Sequence, residues 1–234
     1  MKKQNQHIGI TILLVVNTLL FTSIVQGQVK INSFGISMGW YNPSLDYWKE
    51  ISFVSGWDKK FDGSFNGGMN VQFQFVNNIN LRVSADYWEQ SVKQNNIQVG
   101  AIVENEKLTL RIIPVSADLI YNLSFAKVFD AVPYIGAGGK IFYLKRTFTR
   151  SPVSAQSTDE IADGRSYAGN VFVGIDKNII GNLNAGIEFR YVFGKYIQQE
   201  KNVLGEISDR DVSIAGPNIS FVINYVIDMR LFDL

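Results

Sequence analysis

The chain has 234 residues, 22 Lys and Arg against 21 Asp and Glu, and no cysteine. A formal net charge of +1 leaves no chain-wide electrostatic case for nucleic acid or a strongly anionic partner. Without thiols there is neither a disulfide framework nor a thiolate metal site. The 20 Gly, 16 Phe, 10 Tyr and 4 Trp exceed what an average globular domain carries, a combination that β-barrels use.

The amino terminus reads as a secretory signal over residues 1–27. Lys2 and Lys3 precede an apolar run from Ile8 to Val25, and Val25-Gln26-Gly27 stands ahead of Gln28. A retained membrane anchor is the alternative, because the run approaches spanning length. The remaining 28–234 is expected to form one domain. Beyond residue 28 no apolar run approaches helix-spanning length, so the exported chain is periplasmic, extracellular, or a membrane β-barrel.

The first strand is predicted over Asn32–Tyr41, where Phe34, Ile36, Met38 and Trp40 alternate with Ser33, Gly35, Ser37 and Gly39. A connection from Asn42 to Asn66 follows. Met69–Val76 then alternates strictly, with Gln72 and Gln74 opposite Phe73 and Phe75, and after Asn77-Asn78 the pattern resumes through Leu81, Val83, Ala85 and Tyr87. Two amphipathic strands about an Asn-Asn turn make a hairpin. The third strand fades near Gln90, and Ser91–Glu106 reads as a polar connection.

The fourth strand, Lys107–Tyr121, contains a conflict of parity. Leu108, Leu110 and Ile112 share one face, yet beyond Pro114 the apolar set is Val115, Ala117, Leu119 and Tyr121. A β-bulge near Ile113–Val115 would give both halves one outward face. The fifth strand is expected over Val132–Arg146, with Gly136 and Gly138 relieving crowding rather than cradling a phosphate. Thr147–Ser166 reads as a loop. Strands over Ala168–Asp176 and Leu183–Gly194 flank a tight turn at Asn178–Asn182, and the last strand follows a polar stretch, at about Asn218–Asp228.

The connections alternate long and short around about eight strands. A membrane barrel has this arrangement, with short turns on the periplasmic side and long loops outside. The expected fold is therefore all-β: an eight-stranded antiparallel up-and-down transmembrane β-barrel in the outer membrane.

With apolar faces toward lipid, the lumen receives Gln72, Gln74, Arg82, Asp86, Arg111, Asp118, Lys140, Glu188 and Arg190. An eight-stranded interior is just filled by side chains, and buried charges must pair. The expected role of Arg82, Asp86, Glu188 and Arg190 among them is a structural plug, with an active site or ion path as the competing reading. The only histidine is His7, inside the predicted signal. No Ser/His catalytic arrangement follows from that, and the usual zinc and copper ligands are absent too. No cofactor and no metal are expected, and the chain is read as non-enzymatic. The first long connection is unusually apolar, and Tyr47, Trp48, Phe53 and Trp57 there are read as an interfacial girdle or as a docking surface for a partner protein.

Ile112-Ile113-Pro114-Val115, Pro133-Tyr134-Ile135-Gly136-Ala137-Gly138 and Phe189-Arg190-Tyr191-Val192-Phe193-Gly194 resemble the outer-membrane β-barrel domain family, including small barrels of OmpA, OmpX and PorT type. The likeness spans essentially all of 28–234. The resemblance implies outer-membrane lipid as a partner and an envelope-structural or surface-interaction role. A PorT-like accessory role in protein secretion or outer-membrane assembly is the alternative, with envelope or secretion-machinery proteins as partners. Many members end on an aromatic residue, whereas this chain runs on through Arg230-Leu231-Phe232-Asp233-Leu234.

Overall fold

The computed structural model describes residues 29–54, 58, 61–99, 102–152, 158–201 and 207–230. The predicted signal over 1–27 lies outside them, as do residues 231–234. The elements are β1 (Lys30–Tyr41), α1 (Asp46–Val54), β2 (Ser64–Val76), β3 (Ile79–Val99), β4 (Ile102–Asn122), β5 (Val132–Pro152), β6 (Thr158–Ile180), β7 (Leu183–Lys201), β8 (Ile207–Ser213) and β9 (Gly216–Arg230).

Each strand pairs antiparallel with its sequence neighbour from β1 through β7. β7 then pairs with β9, and β9 with β1, closing the ring. β8 and β9 are two parts of one barrel wall. Lys195 opposes Ser213 and Val192 opposes Gly216, so β7 holds both in the same register across the break at Ile214-Ala215. The nine strand elements therefore form an eight-stranded up-and-down barrel whose ring is closed at the level of β1 and β9, while toward the loop end β8 pairs with β7 alone and β3 beyond Trp88 pairs with β4 alone. Asn77-Asn78 and Gly181-Asn182 make tight turns at one end. Asn78 and Gly181 there adopt positive φ values of 72° and 54°, which asparagine and glycine tolerate best. The beginning of β1 and the end of β9 lie at this same turn end.

The exterior is a continuous apolar surface: Phe34, Ile36, Met38, Met69, Val83, Leu119, Ile135, Val173, Ile187, Phe221 and Tyr225 all point outward and are exposed. Soluble monomers do not expose apolar patches of this extent. Trp40, Phe65, Tyr87, Tyr143, Tyr167 and Phe193 lie at the loop-end margin of this surface, where barrels carry an aromatic girdle.

Two expectations need correction. β4 contains no bulge: its pairing with β5 runs from Glu104↔Pro152 to Asn122↔Tyr134 without a shift. Pro114 is accommodated differently. The β3–β4 ladder skips the pairs opposite Asp86 and Tyr87 and resumes at Trp88↔Ile112 in the register it left at Ala85↔Val115, so the missing proline N–H costs a ladder bond and no residue. Parity is thus conserved along β4. Leu108, Leu110 and Ile112 face inward together with Ser116 and Asp118, and Arg111 faces outward, not into the lumen.

The second correction concerns the connections at the loop end. β3 to β7 are 19 to 23 residues long, about twice what a tilted membrane strand needs. Much of what reads as polar loop in the sequence is strand, and it carries the barrel beyond the apolar belt. The interior of that extension holds an apolar core of Trp88, Val92, Leu110, Ile112, Phe142, Val192 and Val212. Residues of the first connection fold into it, with Leu45, Trp48 and Phe61 all buried. Trp48 is therefore interior packing rather than a surface for docking, and Tyr47 is partly buried against the same core. Phe53's side chain and Trp57 lie outside the described residues.

Candidate functional site: the charged core and the two mouths

Period-two alternation puts even-numbered residues of β3, β4, β5, β6 and β7 into the interior, and ring closure brings residues far apart in sequence into contact. Arg82 Nη2 donates to Glu188 Oε2 at 2.6 Å, and Arg82 Nε lies 3.8 Å from Asp118 Oδ2. On the other side Arg190 Nη1 donates to Asp118 Oδ2 at 2.9 Å, and its Nη2 and Nε donate to Glu188 Oε1 at 2.9 and 3.0 Å. Two guanidiniums and two carboxylates form a closed, charge-neutral ring. Buried ions persist when their remaining hydrogen-bonding capacity is also met, and that condition is largely satisfied here.

Asn170 bridges the ring, accepting from Arg190 Nη1 and donating to Asp118 Oδ1, both at 2.9 Å. Ser116 donates to Asp118 at 3.2 Å and Tyr134 donates to Glu188 at 3.1 Å. Phe172 lies under both arginines, its ring centre 4.7 Å from the Arg82 guanidinium carbon and 4.4 Å from that of Arg190, a cation–π arrangement. Two glycines make the space. A Cβ at Gly136 would collide with the Phe172 ring, and one at Gly138 would collide with Asp118 Oδ1.

A second pair completes the set, with Lys140 Nζ 3.7 Å from Asp86 Oδ2 and Ser37 donating to Asp86 at 3.3 Å. Gln72 is buried beside Arg82 in the register, and Gln74 faces inward nearer the turn end. Of the nine predicted lumen residues, Arg82, Asp118, Glu188 and Arg190 join in one network, Asp86 and Lys140 pair beside it, and the two glutamines line the wall. Arg111 instead binds Glu89 at 2.8 Å on the outer surface. Asn170, Tyr134 and Phe172 are absent from the predicted set, although each occupies the inward parity of its strand.

The charged core separates two mouths. At the turn end a cavity of about 320 Å³ is lined by asparagines, including Asn32, Asn80, Asn184 and Asn224, with Arg82 and Tyr134 at its inner limit. At the loop end about 400 Å³ lies among Leu45, Leu110, Ile112, Leu144, Arg146 and Tyr196. The cavity within the core, between Ser37, Asn70, Asp86 and Arg190, is only about 20 Å³, close to the minimum for one water molecule. The described part of the first connection is tied across the loop end by hydrogen bonds. Trp48 Nε1 donates to the Tyr196 hydroxyl, the Tyr41 hydroxyl donates to the Ile214 carbonyl, and the Ser213 amide donates to Asp46 Oδ1 at 3.0 Å.

Among solved structures, the chain is similar to a major outer membrane protein from Thermus thermophilus, with a TM-score of 0.53 over 85% of this chain and 99% of that one, at 10% identity. The fold is that of an outer-membrane β-barrel. OprG from Pseudomonas aeruginosa matches with a TM-score of 0.49, 14% identity, and coverage of 86% and 99%. Neisserial surface protein A matches with 0.44, 12%, and coverage of 86% and 97%. No family model and no curated protein matches the sequence.

Proposed function

We propose that the chain is a non-conducting, non-enzymatic barrel of the outer membrane that serves as a rigid anchor and presents its loop end at the cell surface. The carrying observation is the doubly filled lumen: a neutral charged core at the level of the apolar belt and an apolar core with a folded-in connection above it. A channel requires a hydrated path or a ring of one charge sign, and here opposite charges close on one another. The strand extensions reach on the order of 25 Å beyond the membrane, at about 3.3 Å per residue and a tilt of about 45°. Such a stiff rim suits surface interaction or envelope support. The one histidine, His7, stands ahead of the first strand, which leaves the interior without the usual side chain that titrates near neutral pH.

The test is reconstitution. The protein is expected to fractionate with outer membranes, to run as a heat-modifiable band on unboiled gels, and to give no steady single-channel current in planar bilayers. Recovery as a soluble periplasmic monomer refutes the membrane placement, and reproducible currents refute the sealed lumen.

A further inference from the structure

On four neighbouring strands the outward face changes chemistry at the same step. Toward the loop end, the outward position after exposed Ile113 on β4 is Arg111, after Tyr143 on β5 it is Lys145, after Tyr167 on β6 it is Arg165, and after Phe193 on β7 it is Lys195. The equivalent step on β3 runs from Tyr87 to Glu89, and on β9 from Ile219 to Pro217. The basic band is therefore one-sided, covering half of the circumference and lying directly beyond the aromatic margin of the apolar belt.

Register adds a second observation. Arg111 lies directly opposite Lys145 across the β4–β5 pair. Further up the same face Lys107 lies directly opposite Lys93 across β3–β4. Like charges opposed across an antiparallel pair destabilise it, and two such pairs side by side call for a counter-anion. The protein supplies part of one. Glu89 holds Arg111 at 2.8 Å and Asp211 lies 3.5 Å from Lys195. Asp163 faces Lys145 in the register without forming an ion pair, and neither Lys145 nor Arg165 has a salt-bridge partner among the described residues. Arg165 is exposed and Lys145 partly exposed, both on the outward face directly beyond the aromatic margin.

We propose that this face of the barrel docks the phosphate groups of outer-leaflet lipid, with Lys145 and Arg165 as its principal contacts and Arg111, Lys107 and Lys93 supplying the surrounding field. A guanidinium matches phosphate in a two-pronged contact and an ammonium acts as a point charge. Acyl chains of the same lipid would lie on Tyr143, Ile141 and Tyr167 immediately below. The proposal rests on the outer-membrane reading, and the two fail differently. Failure to insert into bilayers ends the membrane reading, whereas insertion without preference for phosphorylated lipid ends this one alone.

The experiment measures binding of diphosphoryl lipid A to the full chain in detergent by native mass spectrometry. The double variant Lys145→Gln/Arg165→Gln is expected to bind at least about tenfold more weakly, given roughly 1 kcal/mol per basic residue near a charged headgroup surface. The charge-retaining Lys145→Arg/Arg165→Lys is expected to restore binding. Lys177→Gln, which removes one charge from the outward face near the turn end, is expected to leave it unchanged. Wild-type affinity in the double variant overturns the proposal, as does equal binding of lipid stripped of phosphate. Displacement by inorganic phosphate at the concentration at which lipid A itself competes also overturns it, because the surface would then serve a soluble anion.

Discussion

Arg190 touches three polar partners, and its removal leaves the buried Asp118 and Glu188 with Arg82 as their one remaining ion-pair partner among the described residues. Arg190→Ala is therefore expected to lower the urea midpoint of the folded barrel in lipid vesicles, by roughly 3 kcal/mol of stability. Arg111→Ala, whose partner Glu89 is solvated on the outer face, is expected to change it by less than about 1 kcal/mol. An equal effect of the two substitutions would show that the ring contributes nothing beyond a surface pair. Gly138→Ala tests the same core from the other side, since its Cβ would collide with both Asp118 Oδ1 and the Ala117 carbonyl. Backbone cannot yield as a side chain can, so a loss of about 1–3 kcal/mol is expected. At this scale the sequence was readable in part. Alternation along single strands identifies Arg82, Glu188 and Arg190 as inward. It does not identify Asn170 as the bridge between Arg190 and Asp118, because that contact exists only once the ring closes and β4, β6 and β7 face one another.

The element that alternation cannot describe is α1 with its flanking segments. Its pattern is neither strand nor long helix, and its apolar residues resemble a membrane girdle until a cavity is available to receive them. That cavity was hidden by the parity conflict at Pro114. With parity kept through the proline, Leu108, Leu110 and Ile112 continue the line of Ser116 and Asp118, and an apolar upper lumen follows directly. Trp48 is the anchor, packed in the core and hydrogen-bonded to Tyr196. Trp48→Ala is expected to cost about 3–5 kcal/mol, read as faster proteolysis within the first connection while the barrel band stays intact on gels. Burial pushes the Tyr196 phenol from its ordinary 10 up to about 12. A raised pKa stabilises the fold fully below the unfolded value and loses that contribution as pH rises through the folded one. The closure is accordingly expected to hold at neutral and acid pH as far as Tyr196 is concerned, and to loosen between about pH 10 and 12. Protection of the first connection against a protease active at alkaline pH measures it, and loosening near pH 7 would assign the effect to another group.

At the scale of the whole molecule, the two cores lie in series along one lumen, and on the proposed sealed-lumen reading each blocks it separately. The apolar core with Trp48 and Phe61 occupies the loop-end half, while the charged ring and Phe172 occupy the level of the apolar belt. Series blockage has a distinctive consequence for conductance. Trp48→Ala loosens only the upper core, and ions would still meet a packed ring with room for about one water molecule. Arg82→Ala joins the turn-end cavity to the core and leaves the apolar seal above intact. Neither single variant is expected to conduct in planar bilayers. The double variant Trp48→Ala/Arg82→Ala removes a large ring above and a long side chain below, and it also leaves the interior with excess negative charge. It is expected to give small currents selective for cations, provided that heat-modifiability shows the barrel still folded. Conductance in either single variant would mean that one core alone closes the barrel, and silence in a folded double variant would mean that the remaining packing relaxes into the space.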